Sequence, residues 1–131
     1  FSGEHWRVVF HDVETADMAV QMGATLPALE DVQTILDHAR SCLAVASSRK
    51  VHLLVHCFAG ISRSTGAVFG IVSMLLGPGQ EVKALKYVIE IRPYASPNRL
   101  VVEFADDLLD RRGKMVAALG RPGAGFRTDD Y

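Results

Sequence analysis

Cysteine is scarce in this chain of 131 residues: Cys42 and Cys57 are its two thiols, too few for the several bridges that hold small secreted domains together. A disulfide framework is therefore excluded, and a reducing, cytoplasmic setting is expected. No apolar run approaches the roughly 20 residues that a membrane-spanning helix needs, and the opening FSGEHWRVVF has neither the basic start nor the apolar centre of a signal peptide. An excess of one charge is missing too. With 14 Lys plus Arg against 15 Asp plus Glu, nothing favours broad attraction to nucleic acid or to an anionic membrane, and neither is expected as a partner. His5, His11, His52 and Cys42 share no tight ligand spacing, so no metal site is expected. No internal repeat is visible.

What the chain does have is apolar side chains, 49% of the total, which is enough for one core at a length that suits a single domain of about 100 to 200 residues. Residues 6–10 (WRVVF) are aromatic and β-branched and predict a strand, with His11 and Asp12 at its C-terminal mouth. Residues 14–23 suit either a short helix or an irregular loop, with Gly23 as the stop. Val32, Ile35, Leu36, Ala39, Cys42, Leu43 and Ala46 recur every three or four positions, so they form one helical stripe, and Pro27 suits its first turn. After a polar break at 47–50, residues 51–55 (VHLLV) predict a buried strand.

Residues 60–63 turn the chain, and 64–76 are small or apolar on almost every face, as in a helix enclosed by the domain. Gly66 and Gly70 would let that helix pack closely. Gly77, Pro78 and Gly79 end it. Val82, Leu85, Val88 and Ile89 mark another amphipathic helix, which stops at Arg92 and Pro93. A last helix is expected from Ser96 and Pro97, with the stripe Leu100, Val101, Phe104, Leu108, Leu109, Met115, Val116 and Leu119. Residues 120–131, rich in Gly and polar side chains, predict a mobile tail. Strands alternating with helices of this length predict an α/β fold with a small parallel-centred sheet flanked by helices.

The segment with chemical content is HCFAGISRST, residues 56–65, between an expected strand and an expected helix. Five residues lie between Cys57 and Arg63, Gly60 among them, a span that suits a loop wrapped around one phosphate. Amides in such a curve converge on an anion, and the next helix adds the positive end of its dipole. Arg63 can grip two phosphate oxygens with its planar fork. The same field favours the thiolate of Cys57, which faces the phosphorus and can attack it. Arg63 and the amides supply the electrostatic stabilisation, so the chemistry asks for no metal or other cofactor.

These residues resemble a known family. HCFAGISRS matches the HCxxGxxR[ST] signature of the protein tyrosine phosphatase superfamily, and the chain is similar to its small bacterial dual-specificity-like members. The resemblance extends over Phe10 to Asp12, the Pro27 helix and Ser96, Pro97 and Asn98. It implies the (phosphotyrosine protein) phosphatase II-like fold, in which strands precede the one expected at Trp6, so N-terminal strands are expected to be missing here. It further implies a catalytic domain over residues 1–119. Cys57 would be the nucleophile, Arg63 the phosphoryl ligand, and Phe58, Ala59, Gly60, Ile61 and Ser62 the rest of the phosphate-binding loop. Ser64 would assist release of the sulfur, His56 and Asn98 would support the loop, and an aspartate would act as general acid. Asp12 is the choice because it follows a strand, with Asp17 and Asp31 as rivals.

The activity implied is hydrolysis of phosphate monoesters through a phosphocysteine. The expected partner is a phosphorylated protein, phosphotyrosine first and phosphoserine or phosphothreonine next, and phosphate, vanadate or sulfate should occupy the loop. The alternatives are a phosphoprotein-binding module without turnover and a phosphatase for a non-protein phosphate ester. Binding modules of this kind generally lose the cysteine, which is present here. A sulfur transferase or an arsenate reductase would lack the complete signature. Cys42, on its helical stripe, is expected to pack in the core rather than to act as a redox partner of Cys57.

Overall fold

The computed structural model describes residues 11–12, 14–45 and 51–120. Its elements are α1 (Ala16–Met22), α2 (Leu29–Ala44), α3 (Arg63–Leu76), α4 (Glu81–Ile91), α5 (Arg99–Leu108) and α6 (Lys114–Leu119). Among the described residues there is no strand and no sheet. This overturns the expected α/β architecture with a parallel-centred sheet. Residues 51–55 carry no ladder, and Leu53 and Leu54 are exposed while Val55 is half-buried. Their β-branched and leucine content expresses a local preference, but a strand also needs a partner whose amides and carbonyls complete the ladder. The expected strand at 6–10 and the tail at 121–131 lie outside the described residues.

The helices follow the expected periodicity with two adjustments. Thr15 Oγ1 accepts the Met18 amide at 3.2 Å and so caps α1, which Gly23 closes at φ 61°. Of the two readings for 14–23, the helical one is therefore found. In α2, Val32, Leu36 and Ala39 are buried as the stripe predicts. The helix begins two residues after Pro27, where the Asp31 carboxylate accepts the Ala28 amide at 2.8 Å. The expected long last helix is instead two, because Asp110 and Arg112 take φ 53° and 55° and Gly113 takes φ 83° between α5 and α6. The buried carboxylate of Asp106 accepts the amides of Gly113 and Met115 at 2.8 Å and of Val116 at 3.3 Å, which holds the second helix start in place of a continuous backbone ladder.

α3 packs against α2, α4 and α5, α5 also packs on α2, and α6 packs on α4 and α5. Phe69 on α3 is fully buried beside Leu36, Leu85, Val101, Val102 and Met115. Close approach depends on Gly70, where a β-carbon would stand 3.3 Å from Ala105 Cβ and 3.5 Å from Leu36 Cδ2. Gly66 faces the Asn98 backbone and Val101 in the same way. At the far end of α3, Arg111 and Glu81 form a buried ion pair at 3.4 Å, and Arg111 also donates to the Ser73 and Gly77 carbonyls at 2.7 and 3.0 Å. The near end, where α3 starts, carries the residues of the signature. Among the described residues no helix is long and apolar enough to cross a membrane.

Candidate active site

Residues 57–62 curve into the first turn of α3 so that Cys57 comes back over its own loop. The Gly60 amide donates to Cys57 Sγ at 3.3 Å, and Ser64 Oγ lies 3.3 Å from the same sulfur. Gly60 takes φ 67°, a left-handed conformation that makes this tight return possible. Ser64 is buried one residue into α3, and Arg63 is half-buried at its first position. Burial of Cys57 raises the energy of the thiolate, but the Ser64 hydroxyl, the Ser64 and Gly60 amides and the Arg63 charge together outweigh it and bring the thiol down from 9.0 to about 7. The sulfur is therefore poised for ionisation near neutral pH.

Four consecutive carbonyls of the loop are each engaged by a donor. Arg92 Nη2 donates to Ala59 O at 3.3 Å and Arg92 Nε to Gly60 O at 2.9 Å. The Ser96 amide donates to Ile61 O at 2.8 Å, and the Thr65 hydroxyl also donates there. Ser62 O accepts the Gly66 and Asn98 amides at 2.9 and 3.0 Å and the Thr65 hydroxyl at 3.1 Å. A trans peptide points its N–H away from its C=O, and no peptide bond here is cis. With the Ala59 carbonyl held this way, the Gly60 amide of the same peptide faces the opposite side, which is that of Cys57. An amide turned inward with its carbonyl outward is the unit from which anion-binding nests are built.

Asp12 is drawn to the same loop. Its Oδ1 accepts the Ser62 hydroxyl at 2.6 Å and the Asn98 Nδ2 group at 3.0 Å. Asn98 is fully buried and caps α5 through its Oδ1, which accepts the Val101 amide at 3.0 Å. One asparagine therefore braces the loop through its amide, starts α5 and holds Asp12. His11, next to Asp12, is tied to Thr25: its amide donates to Thr25 O and its Nδ1 accepts the Thr25 amide, both at 2.8 Å. Of the rival aspartates, Asp17 lies exposed in the first turn of α1 and Asp31 caps α2.

Cys57, Arg63, Ser64, Ser62, Asp12 and Asn98 are thus brought together as a group. His56 is exposed, and Phe58 turns its ring almost wholly to solvent, so its part in the loop is that of its backbone. Cys42 is half-buried on α2, with Sγ 3.6 Å from His38 Nε2. A cavity of about 350 Å³ opens beside Cys57, walled in part by Val55, Phe58, Val68, Val88, Ile91 and Arg92; Arg63 and Asp12 are not part of its wall. Among the described residues no three His, Cys, Asp or Glu side chains gather as a metal site requires. Sequence reasoning missed Arg92 and Thr65, and it read Ser62 only as loop backbone. Thr65 adjoins the signature and could have been found there. Arg92 lies 32 positions from Gly60, and no local pattern links the two.

No family model matches the chain, and no solved structure matches it. Dual specificity protein phosphatase 15 of Rattus norvegicus is 43% identical to it over 68 residues, which cover 49% of this chain and 28% of that relative. The chain thus spans well under two thirds of the relative's length. The likeness covers about half of this chain, and it suggests the protein tyrosine phosphatase superfamily.

Proposed function

We propose that the protein is a cysteine-dependent phosphatase of the dual-specificity-like type, acting on a phosphorylated protein. The partial likeness to a dual specificity protein phosphatase favours phosphatase chemistry in general, and one observation carries the finer reading. Cys57 Sγ meets the Gly60 amide and the Ser64 hydroxyl inside a loop whose carbonyls at 59–62 are all drawn off by other donors. Such a loop would hold a tetrahedral anion against an ionisable sulfur, and Arg63, whose charge already favours the thiolate, would be the cation that shares it.

In the first step the Cys57 thiolate forms a bond to phosphorus while the bond from phosphorus to the ester oxygen breaks. Asp12, as the carboxylic acid, gives its proton to that departing oxygen. Its Oδ1 already accepts from Ser62 and Asn98, so the transferable proton belongs on Oδ2. In the second step the Asp12 carboxylate takes a proton from water, whose oxygen attacks phosphorus. The sulfur–phosphorus bond breaks, the Ser64 hydroxyl donates to the leaving thiolate, and inorganic phosphate departs. Both cysteines are unbridged, and this chemistry needs Cys57 reduced.

Turnover of an aryl phosphate, a phosphotyrosine peptide, a phosphoserine peptide and a phosphoinositide, each with and without vanadate, tests the reading. Vanadate-sensitive release of phosphate from the phosphotyrosine peptide is expected. Tight binding of that peptide with no turnover would instead assign a recognition module, and turnover of the phosphoinositide alone would move the substrate to a lipid ester.

A further inference from the structure

We infer that Arg92 is a positioning residue for the nucleophile: its guanidinium holds the Ala59 and Gly60 carbonyls on the outside of the loop and thereby keeps the Gly60 amide on Cys57 Sγ. The inference rests on the reading of Cys57 as the nucleophile of the proposed phosphatase. It starts from a weakness of the loop. Gly60 is needed for the left-handed turn at φ 67°, and a glycine crosses between backbone conformations at little cost. Were the peptide between Ala59 and Gly60 to turn over, a carbonyl oxygen would replace the amide beside the sulfur. That dipole would oppose both the thiolate and any anion in the nest.

The clamp has the geometry to prevent this turnover. Arg92 Nη2 takes the carbonyl of that same peptide and Nε takes the next one. Two adjacent carbonyls suit the planar fork of an arginine, whereas a lysine offers a point charge. The fork also occupies the space beside Gly60, where a β-carbon would stand 2.9 Å from Arg92 Nη2. The arginine is itself anchored at both backbone ends. Its amide donates to Val88 O at 2.9 Å at the end of α4, and its carbonyl accepts the Ala95 amide at 2.8 Å. The same connection continues with the Ser96 and Asn98 amides on Ile61 and Ser62, and Pro93 and Pro97 limit its freedom. Residues 92–98 therefore form one strap along four successive carbonyls. Arg92 is the member of that strap that reaches the peptide next to the sulfur.

The test is the pH profile of iodoacetamide alkylation, followed by mass spectrometry on the peptide containing Cys57 so that Cys42 does not contribute. Arg92→Ala should raise the midpoint by about one pH unit, leaving roughly tenfold less thiolate at mildly acidic pH. Arg92→Lys should fall between Arg92→Ala and the parent, because one carbonyl at most is recovered. Thermal unfolding of each variant checks the fold, and Arg92→Lys alone suffices if Arg92→Ala does not fold. A parent-like midpoint in every folded variant would overturn the clamp. So would a full return in Arg92→Lys beside a shifted Arg92→Ala, since charge without the fork would then be enough. Alkylation needs no phosphatase turnover. A shifted profile in a protein that hydrolyses nothing would leave the clamp standing and sink the functional proposal, and the converse result would do the opposite.

Discussion

The Asp12 carboxylate and the Ser62 hydroxyl, 50 positions apart in sequence, meet at 2.6 Å, and the Asn98 amide group shares the same carboxylate oxygen at 3.0 Å. The contact fixes an exposed aspartate beside the loop that holds Cys57. If Asp12 protonates the leaving oxygen, its loss matters most where that oxygen is a strong base. Asp12→Asn is expected to lower kcat/KM by about 100-fold or more for an alkyl or phenyl phosphate, within the usual range of general acid catalysis. An activated nitrophenyl ester should lose much less. Equal losses on both esters, or this pattern in Asp17→Asn or Asp31→Asn instead, would reassign the acid.

Cys57 provides the direct test of the nucleophile. Cys57→Ser should bring aryl phosphate hydrolysis to background while leaving the thermal transition in place, because the hydroxyl fits the site but ionises far less readily. The pH dependence of the parent follows from the thiol being brought from 9.0 to about 7. The lowered value favours the ionised form in the folded state, so alkylation should rise with pH through about 7. In the unfolded chain the same rise should come near 9, the ordinary value. A folded-state midpoint at that ordinary value would remove the electrostatic basis of the site.

Ser64 Oγ lies 3.3 Å from the sulfur and is buried, so it should act mainly when the thiolate leaves phosphorus. Hydrogen bonds to a charged group contribute about 1.5–3 kcal/mol, which predicts a roughly 10- to 100-fold lower kcat for Ser64→Ala. Rapid-quench kinetics on a good leaving group should show a burst of alcohol followed by slow phosphate release. Alcohol and phosphate released together at the slower rate would place Ser64 in the first step instead.

Much of the site was legible because its chemistry is local. Cys57, Gly60, Arg63 and Ser64 lie within one turn and one helix start, and the spacing alone brings them together. The helices were legible for a similar reason, since a stripe such as Val32, Leu36 and Ala39 repeats at the helical period. The sheet was not. A run such as 51–55 shows that its residues suit a strand, but ladder pairing is a relation to a second segment that the run itself does not contain. Arg92 was missed on the same grounds: its partners are backbone carbonyls, which every residue carries, so neither its identity nor its position signals the contact. The break before α6 depends on a buried carboxylate, Asp106, that takes three amides. A hydrophobic stripe running on through Leu109 to Met115 hides that break.

The buried pair at the far end of α3 yields a stability prediction independent of the chemistry. Arg111 and Glu81 are almost wholly enclosed and meet at 3.4 Å, and the guanidinium also serves the Ser73 and Gly77 carbonyls. Burial pushes the Glu81 carboxyl up, but its own amide, the Gly79 amide and Arg111 more than offset this and hold it below its ordinary 4.5. The folded state therefore prefers the carboxylate, and the stability this contributes is fully present above pH 4.5 and lost as the pH falls through the lower folded value. Arg111→Met leaves that carboxylate buried without its cation and should cost about 3–5 kcal/mol in urea unfolding at neutral pH. Glu81→Leu combined with Arg111→Met should recover most of the loss, because an apolar pair of similar size carries no desolvation penalty. If the double variant is as unstable as Arg111→Met alone, the pair is not the source of the cost, and the lost Arg111 hydrogen bonds to the Ser73 and Gly77 carbonyls are.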